Sequence, residues 1–321
     1  MKVSFSLILF TYNQEKFVSQ AVNAVLSQKC DPIEILITDD CSSDKTFDIV
    51  LDIVNKYKGP HKVLLNRNNK NLGLSGHIDK AHELSSGDVI IGAAGDDISH
   101  PNRCQKIIDC FKSKSPLLVF SYANVIDSNG KEATHGYSNA TLYKSNDIVE
   151  IARSGSLYLG ATAAWHRNLY DKYGSFEEDA YEDLIFGFRA ALEKNFYVLD
   201  ESLLKYRLGD GVTSKNSFLK NTESFKRNRI KKLKVTKAVY VQRLKDAITF
   251  GYSSKSLIIK TIEHELLKAD IGIKFYSEKS YEFWSGMFYN PVLTFKRFIL
   301  ENFRIFRFKK NLKVFKKSFQ L

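Results

Sequence analysis

The sequence is poor in cysteine, and the spacing of its four cysteines excludes two common designs. Cys30, Cys41, Cys104 and Cys110 form no C-x-x-C pair and have no histidine at zinc-finger spacing. Neither a metal cluster nor a disulfide framework is supported, and reduced thiols are expected. No charge-free apolar run of about 18 residues occurs, which argues against a spanning helix. Only Lys2 precedes the apolar Val3–Phe10 and no small-residue processing site follows, so that stretch suits a first strand better than a secretion signal. Glycine-rich phosphate loops are missing too, with neither G-x-G-x-x-G nor G-x-x-x-x-G-K-[ST] present. Any bound phosphate must be held otherwise, and acidic residues with a divalent ion are the obvious candidate.

What is present suits a globular protein with a real core: 321 residues, 44% hydrophobic and 26% charged. One domain of about 200 to 250 residues with an appendage is the natural expectation. Charge divides the chain at the same place. Residues 215–321 carry 25 Lys/Arg against 8 Asp/Glu, whereas residues 1–214 carry 23 against 28. The expected domains are therefore 1–214 and a basic region, 215–321.

Strand-like and helical patterns alternate through the first part. Val3–Phe10, Ile33–Thr38, Lys62–Leu65, Asp88–Ala94 and Leu117–Val125 read as strands. Between them lie a helix over about Gln14–Gln28, a second striped by Phe47, Val50, Leu51 and Val54, a short one over His77–Leu84 and another from Pro101 to Phe111. Alternation with short connections implies an α/β fold built on a mainly parallel sheet covered on both faces. Further on, Asn168–Tyr173 is a short helical piece closed by Gly174, a helix opens at Tyr181-Glu182-Asp183, and Tyr197–Leu199 and Leu203–Tyr206 are strand-like. Residues 218–249 and 255–269 look helical and basic.

Two of the strands end in paired acids: Asp39-Asp40 after Ile33–Thr38, and Asp96-Asp97 after the run from Asp88. Either pair alone reads as a solvated turn or a helix cap. Together, beyond the carboxyl ends of strands in an open α/β sheet, they stand where such sheets bind ligands. Glu182 and Asp183 have an ordinary explanation of their own, as acids complementing a helix dipole.

In order along the chain, Phe10-Thr-Tyr12-Asn13, Asp39-Asp40-Cys-Ser42-Ser-Asp44-Lys-Thr46, Asn71-Leu-Gly73, Gly95-Asp96-Asp97 with Pro101, and Tyr181-Glu182-Asp183 closely resemble the family 2 glycosyltransferases. The match spans about residues 3–215, and its specificity lies in the order of five individually weak motifs. The resemblance implies a GT-A fold, a nucleotide-diphosphate sugar donor, Mg2+ or Mn2+ as cofactor, and inversion at the anomeric centre. Residue by residue, it implies that the Phe10 backbone and Tyr12 lie beside the nucleotide base, with Asp40 accepting from a uracil imide and Asn71 in the same pocket. Asp96 would approach the donor ribose or sugar, Asp97 would bind the metal, and Asp183 would be the catalytic base, restrained by Glu182. The chain departs from the family pattern in having Ala94 where many relatives have a further Asp, and Gly209 where many have a His. Arg207, Thr213, Ser214 and Lys215 are then the candidates for phosphate contacts.

The tail Pro291–Leu321 interleaves phenylalanines with Lys and Arg, a mixture that can lie on an anionic bilayer. Contact with nucleic acid and plain packing on the catalytic domain are the competing readings, both ranked lower. The expected protein is a sugar transferase on the inner face of the cell membrane, acting on a glycan or lipid-linked acceptor for a surface polysaccharide. The alternatives are a sugar-phosphate nucleotidyltransferase, a class that usually holds its triphosphate with a Gly-rich, Arg/Lys-bearing loop after the first strand where this chain has Thr11-Tyr-Asn-Gln-Glu15, and a non-enzymatic polyanion binder.

Overall fold

A computed structural model describes residues 3–133, 140–208, 221–277 and 280–318. The chain divides into two compact units, Met1–Lys215 and Asn216–Leu321.

The first unit is built on strands β1 (Phe5–Thr11), β2 (Glu34–Asp39), β3 (Lys62–Arg67), β4 (Val89–Ala94), β5 (Ile98–Ser99), β6 (Leu118–Ile126), β7 (Ala164–His166) and β8 (Phe196–Arg207). Its helices are α1 (Val18–Leu26), α2 (Thr46–Asn55), α3 (Gly73–Leu84), α4 (Arg103–Lys114), α5 (Ile148–Arg153), α6 (Asn168–Asp171) and α7 (Glu182–Leu192). The strands join in the order β3-β2-β1-β4-β7-β6-β8-β5. β1 pairs in parallel with β2 and β4, and β2 with β3. β2 is buried throughout, as strands covered on both faces must be, and this is why its sequence runs apolar without alternation. In α1, Val18, Ala21, Val22 and Val25 recur at helical spacing and are buried in the core with Leu7, Leu9, Ile35 and Ile91.

Beyond β4 the alternating pattern stops. The three-residue β7 runs antiparallel to both β4 and β6, β8 pairs in parallel with β6, and β5 is antiparallel to β8. The two strand-like pieces at 197–199 and 203–206 are one strand, β8, whose register against β6 shifts near Ser121–Asn124. Helix starts also move. α1 begins at Val18 rather than Gln14 because the Asn13, Gln14 and Glu15 amides donate to Ser42 Oγ, Thr46 Oγ1 and Asp44 Oδ2. α3 begins at Gly73 rather than His77 because the carboxylate of Asp40, outside the helix, accepts from the Leu72 and Gly73 amides.

The second unit is helical: α8 (Thr222–Phe250), α9 (Leu257–Tyr276), α10 (Ser280–Trp284), α11 (Gly286–Tyr289) and α12 (Pro291–Ser318). α8 opens on a capping box between Asn221 and Ser224 and closes at Gly251, whose φ of 111° favours glycine. At its centre Glu301, fully buried, accepts from Arg229 of α8 (3.2 and 3.1 Å) and from Tyr276 of α9 (2.8 Å), and it pairs with Arg297 (3.0 Å) and Arg304 (2.5 Å) of α12. One carboxylate thus ties three helices together.

Candidate active site

The carboxyl ends of β1, β2 and β4 meet at one edge. Asp40 N donates to Thr11 O at 3.0 Å and Gly95 N to Phe10 O at 2.9 Å, so the segments after β2 and β4 flank Phe10–Tyr12 on either side. Gly95 is needed there, since a Cβ would run into the Gln14 amide and the Thr11 methyl. Phe10 and Tyr12 are half-buried, and the Phe10 ring sits edge-on to His77 at 5.1 Å. His77 in turn bonds Thr38 Oγ1 at 2.9 Å, and burial holds its imidazole below the usual range.

The adjacent acids Asp39 and Asp40 do different work. Asp39 accepts from Thr11 Oγ1 (3.1 Å), Ser42 N (2.8 Å) and Ser42 Oγ (2.5 Å), closing the loop after β2 on itself. Asp40 reaches outward along the edge: its Oδ1 accepts from Asn68 Nδ2 and Leu72 N, both at 2.9 Å, and its Oδ2 from Gly73 N at 3.0 Å. The more lightly loaded Oδ2 is the oxygen suited to a further donor. Asn71 is exposed beside it, with Oδ1 on Gly73 N at 2.8 Å.

Asp96 and Asp97 follow β4, and both are buried. Asp97 Oδ1 accepts from Arg207 N at 2.8 Å, and the Asp96 carbonyl from Arg207 Nε at 2.9 Å. Burial, and then the neighbouring Asp96 charge, push the Asp97 carboxyl well above the usual range. A cation would relieve that strain. Among the described residues no three His, Cys, Asp or Glu side chains cluster into a metal cage. Two adjacent hard carboxylates nonetheless fit a Mg2+-like ion, which usually takes one or two carboxylates and completes its shell with substrate phosphates and water.

Arg207, a candidate phosphate contact on sequence grounds, is placed otherwise. It is 2% exposed, donates to Asp127 O, Ser128 O and Gln20 Oε1, and lies over the Phe17 ring. Its guanidinium clamps the Asp96–Asp97 turn rather than facing a ligand, because β8 runs alongside that turn, a pairing invisible in the sequence. Gly209, Thr213, Ser214 and Lys215 lie outside the described residues.

Glu182 and Asp183 form the first turn of α7, where Asp183 Oδ1 accepts from Leu184 N at 2.8 Å. Burial, and then the Asp183 charge, raise the Glu182 carboxyl to about 8. Two contacts tie this turn to the rest of the edge. Ser75 Oγ, in the α3 whose start Asp40 fixes, donates to the carbonyls of Glu177 and Ala180 just ahead of α7. From the other side, the short 3-10 turn Gly160–Thr162 presses on the acids: a Cβ on Gly160 would collide with Glu182 Oε1 and stand 3.4 Å from Asp183 Cβ. Tyr158 is fully buried nearby, and burial followed by the charges of Asp183 and Glu182 drives its hydroxyl well above the usual range.

Ser75, Tyr158, Gly160 and the buried Arg103 are absent from the sequence-derived set. Arg103 left one signal: a cation on the buried stripe of α4 with Ile107 and Phe111.

A sequence model described as "Glycosyl transferase family 2" matches residues 6–174. An uncharacterized glycosyltransferase of Haemophilus influenzae is 23% identical over 325 residues, covering 97% of this chain and 95% of the relative. One from Nostoc sp. is 28% identical over 129 residues, covering 40% of this chain and only 39% of the relative's length. Among solved structures, S. aureus TarS 1-349 in complex with UDP-GlcNAc superposes with a TM-score of 0.55 at 18% identity, covering 84% of this chain and 79% of that one. That likeness is one of fold, and the fold is GT-A.

Proposed function

Because the chain belongs to glycosyl transferase family 2, we propose that it moves a sugar, with inversion, from a UDP-linked donor to a hydroxyl of a glycan or lipid-linked acceptor, building a surface polysaccharide at the inner face of the cell membrane. The observation that supports this reading is that the acidic segments after β2 and β4 flank Phe10–Tyr12 at the carboxyl ends of the strands, while Ser75 of α3 is bonded to the loop that leads into Glu182–Asp183. The UDP-GlcNAc bound by TarS supports the choice of nucleotide.

In this reading Tyr12 and the Phe10 backbone flank the base, Asp40 Oδ2 accepts from its imide, and Asn71 closes the pocket. Asp96 meets the ribose or sugar. Asp97 would hold Mg2+ or Mn2+, which when bound stabilises the charge appearing on the departing diphosphate. Asp183 takes the proton of the acceptor hydroxyl as it attacks from the face opposite the leaving group, which requires an approach of about 2.6–3.2 Å.

The membrane placement draws on the second unit. No helix among the described residues is long and apolar enough to cross a bilayer. Phe288 and Tyr289 are each 89% exposed, and Phe295, Ile299, Phe303 and Phe306 form an exposed stripe along α12. Lys296, Arg307, Lys309 and Lys310 are exposed beside it. The one acid in residues 286–321 is Glu301, buried and ion-paired, so the exposed face carries no negative charge of its own. Such a face suits an anionic bilayer, with aromatics in the interface and cations on the headgroups.

The test is transfer from UDP-sugars by purified protein, with manganese and with chelator. Manganese-dependent transfer is expected, and metal-independent transfer would remove Asp97 from its role. For the second unit, sedimentation with phosphatidylglycerol vesicles should recover the protein, and a Phe295/Phe303/Phe306→Ser variant should lose at least about tenfold in binding. Equal binding by that variant would discard the docking face.

A further inference from the structure

We propose that Arg103 is a positioning residue for the transfer step: its guanidinium fixes the turn backing Glu182 and Asp183 to the strand leading into Asp96 and Asp97, and so sets the separation of base and donor. The inference rests on the reading of Asp183 as base and of Asp96–Asp97 as donor-side acids.

Arg103 opens α4 and is fully buried. Its Nη2 donates to Gly92 O of β4 at 2.6 Å and to Ala161 O at 3.0 Å, and its Nη1 to Ser99 Oγ of β5 at 3.1 Å. Gly92 lies four residues before Asp96, and Ala161 follows the Gly160 that abuts Glu182. The turn is also joined to β4 by the backbone bond from Gly92 N to Ala163 O at 3.0 Å and by β7, which follows it and pairs with β4; what Arg103 adds is the bond to Ala161 O at the centre of the turn. One side chain therefore spans the path from donor acids to base.

Core filling does not account for this choice. A desolvated cation held by carbonyls and a hydroxyl is costly even with the Asp97 charge to favour it, and its Nε has no partner among the described residues. A Met of similar volume would avoid that cost. What the guanidinium adds is a rigid fork of directional donors ending on two separate segments. Misplacing a reacting group by about 1 Å can cost about 100-fold in rate, so a fixed spacing has kinetic value.

The experiment uses the full chain with UDP, UDP-sugar and manganese. Donor affinity, donor hydrolysis by water and transfer to acceptor are measured per folded molecule for Arg103→Met, Arg103→Lys and Gly160→Ala. Arg103→Lys keeps the charge and loses the fork, so it keeps the question answerable if Arg103→Met fails to fold, while Gly160→Ala, which displaces Glu182 with Arg103 intact, shows what a disturbed turn does to transfer. Expected are donor affinity within about threefold of wild type, retained hydrolysis and transfer down by about tenfold or more in Arg103→Met and Gly160→Ala, with Arg103→Lys intermediate. Parallel loss of all three activities, or unchanged transfer, would overturn the inference. Asp183→Asn is run alongside: if it keeps full transfer, the base assignment falls and takes this inference with it. If it is inactive and the other variants show no split, the inference alone falls.

Discussion

The carboxylate at the centre of the helical unit and those at the acidic edge of the first unit are held in opposite ways. Glu301 of the helical unit sits among three guanidiniums; burial would raise its carboxyl, but the Arg229 hydrogen bond and the Arg297 charge hold it below the usual range. In the first unit, Asp40 and Asp97 accept mainly from backbone amides and an asparagine, and Glu182 and Asp97 are raised rather than lowered. Arg103 and Arg207, two arginines buried beside that edge, spend their guanidiniums mostly on carbonyl oxygens. A carboxylate neutralised by its own protein is a structural pin. One held by neutral donors keeps its affinity for a cation or a proton, which is what chemistry at that edge requires.

Variants can break that contrast. The largest effect is expected from Asp183→Asn, which should lower transfer by about 1,000-fold or more while donor affinity stays near wild type, since the lost interaction belongs to the transition state. A matching loss of donor affinity would reassign Asp183 to structure. Next comes Glu301→Gln, which leaves three arginines round a neutral amide and should cost about 3–5 kcal/mol, read as a large drop in melting temperature. Melting within a degree or two of wild type would show the cluster to be no pin at all. Asp40→Asn should do the reverse, weakening UDP binding by about tenfold or more for a smaller loss of stability, because an amide can still accept from part of the Asn68–Gly73 set.

The smallest effect is the most specific to the raised carboxyl. With a folded value of about 8, well above the ordinary glutamate range, the fold favours protonated Glu182. Its contribution to stability is complete below the unfolded value and is lost as pH rises towards about 8. Glu182→Gln removes that slope, so the melting temperature of the variant should gain on wild type steadily from pH 5 to pH 8 and then level off. Parallel curves would mean that Glu182 is already ionised in the folded protein.

Much of this edge was legible in the sequence, because β1, β2 and β4 are apolar runs whose ends are marked by Phe10, Asp39-Asp40 and Asp96-Asp97. Local pattern sufficed where one segment decides its own state. It did not suffice where a distant segment decides. The starts of α1 and α3 are set by side chains from the loop after β2, β7 turns antiparallel between β4 and β6, and Arg207 serves the Asp96–Asp97 turn from more than a hundred residues away. The division of labour between Asp39 and Asp40 is equally non-local, since only pairing with β1 and the approach of α3 tell the adjacent acids apart.

The most direct measurement is the melting temperature of the wild-type protein with UDP, in manganese and in chelator. A ligand that binds only the folded state raises that temperature, by about 2.7 kcal/mol of added stability at 100 times its dissociation constant. If the acidic edge holds a metal-bridged diphosphate, UDP stabilises the protein in manganese and does so far less in chelator. Equal stabilisation in both conditions, or none in either, would contradict it.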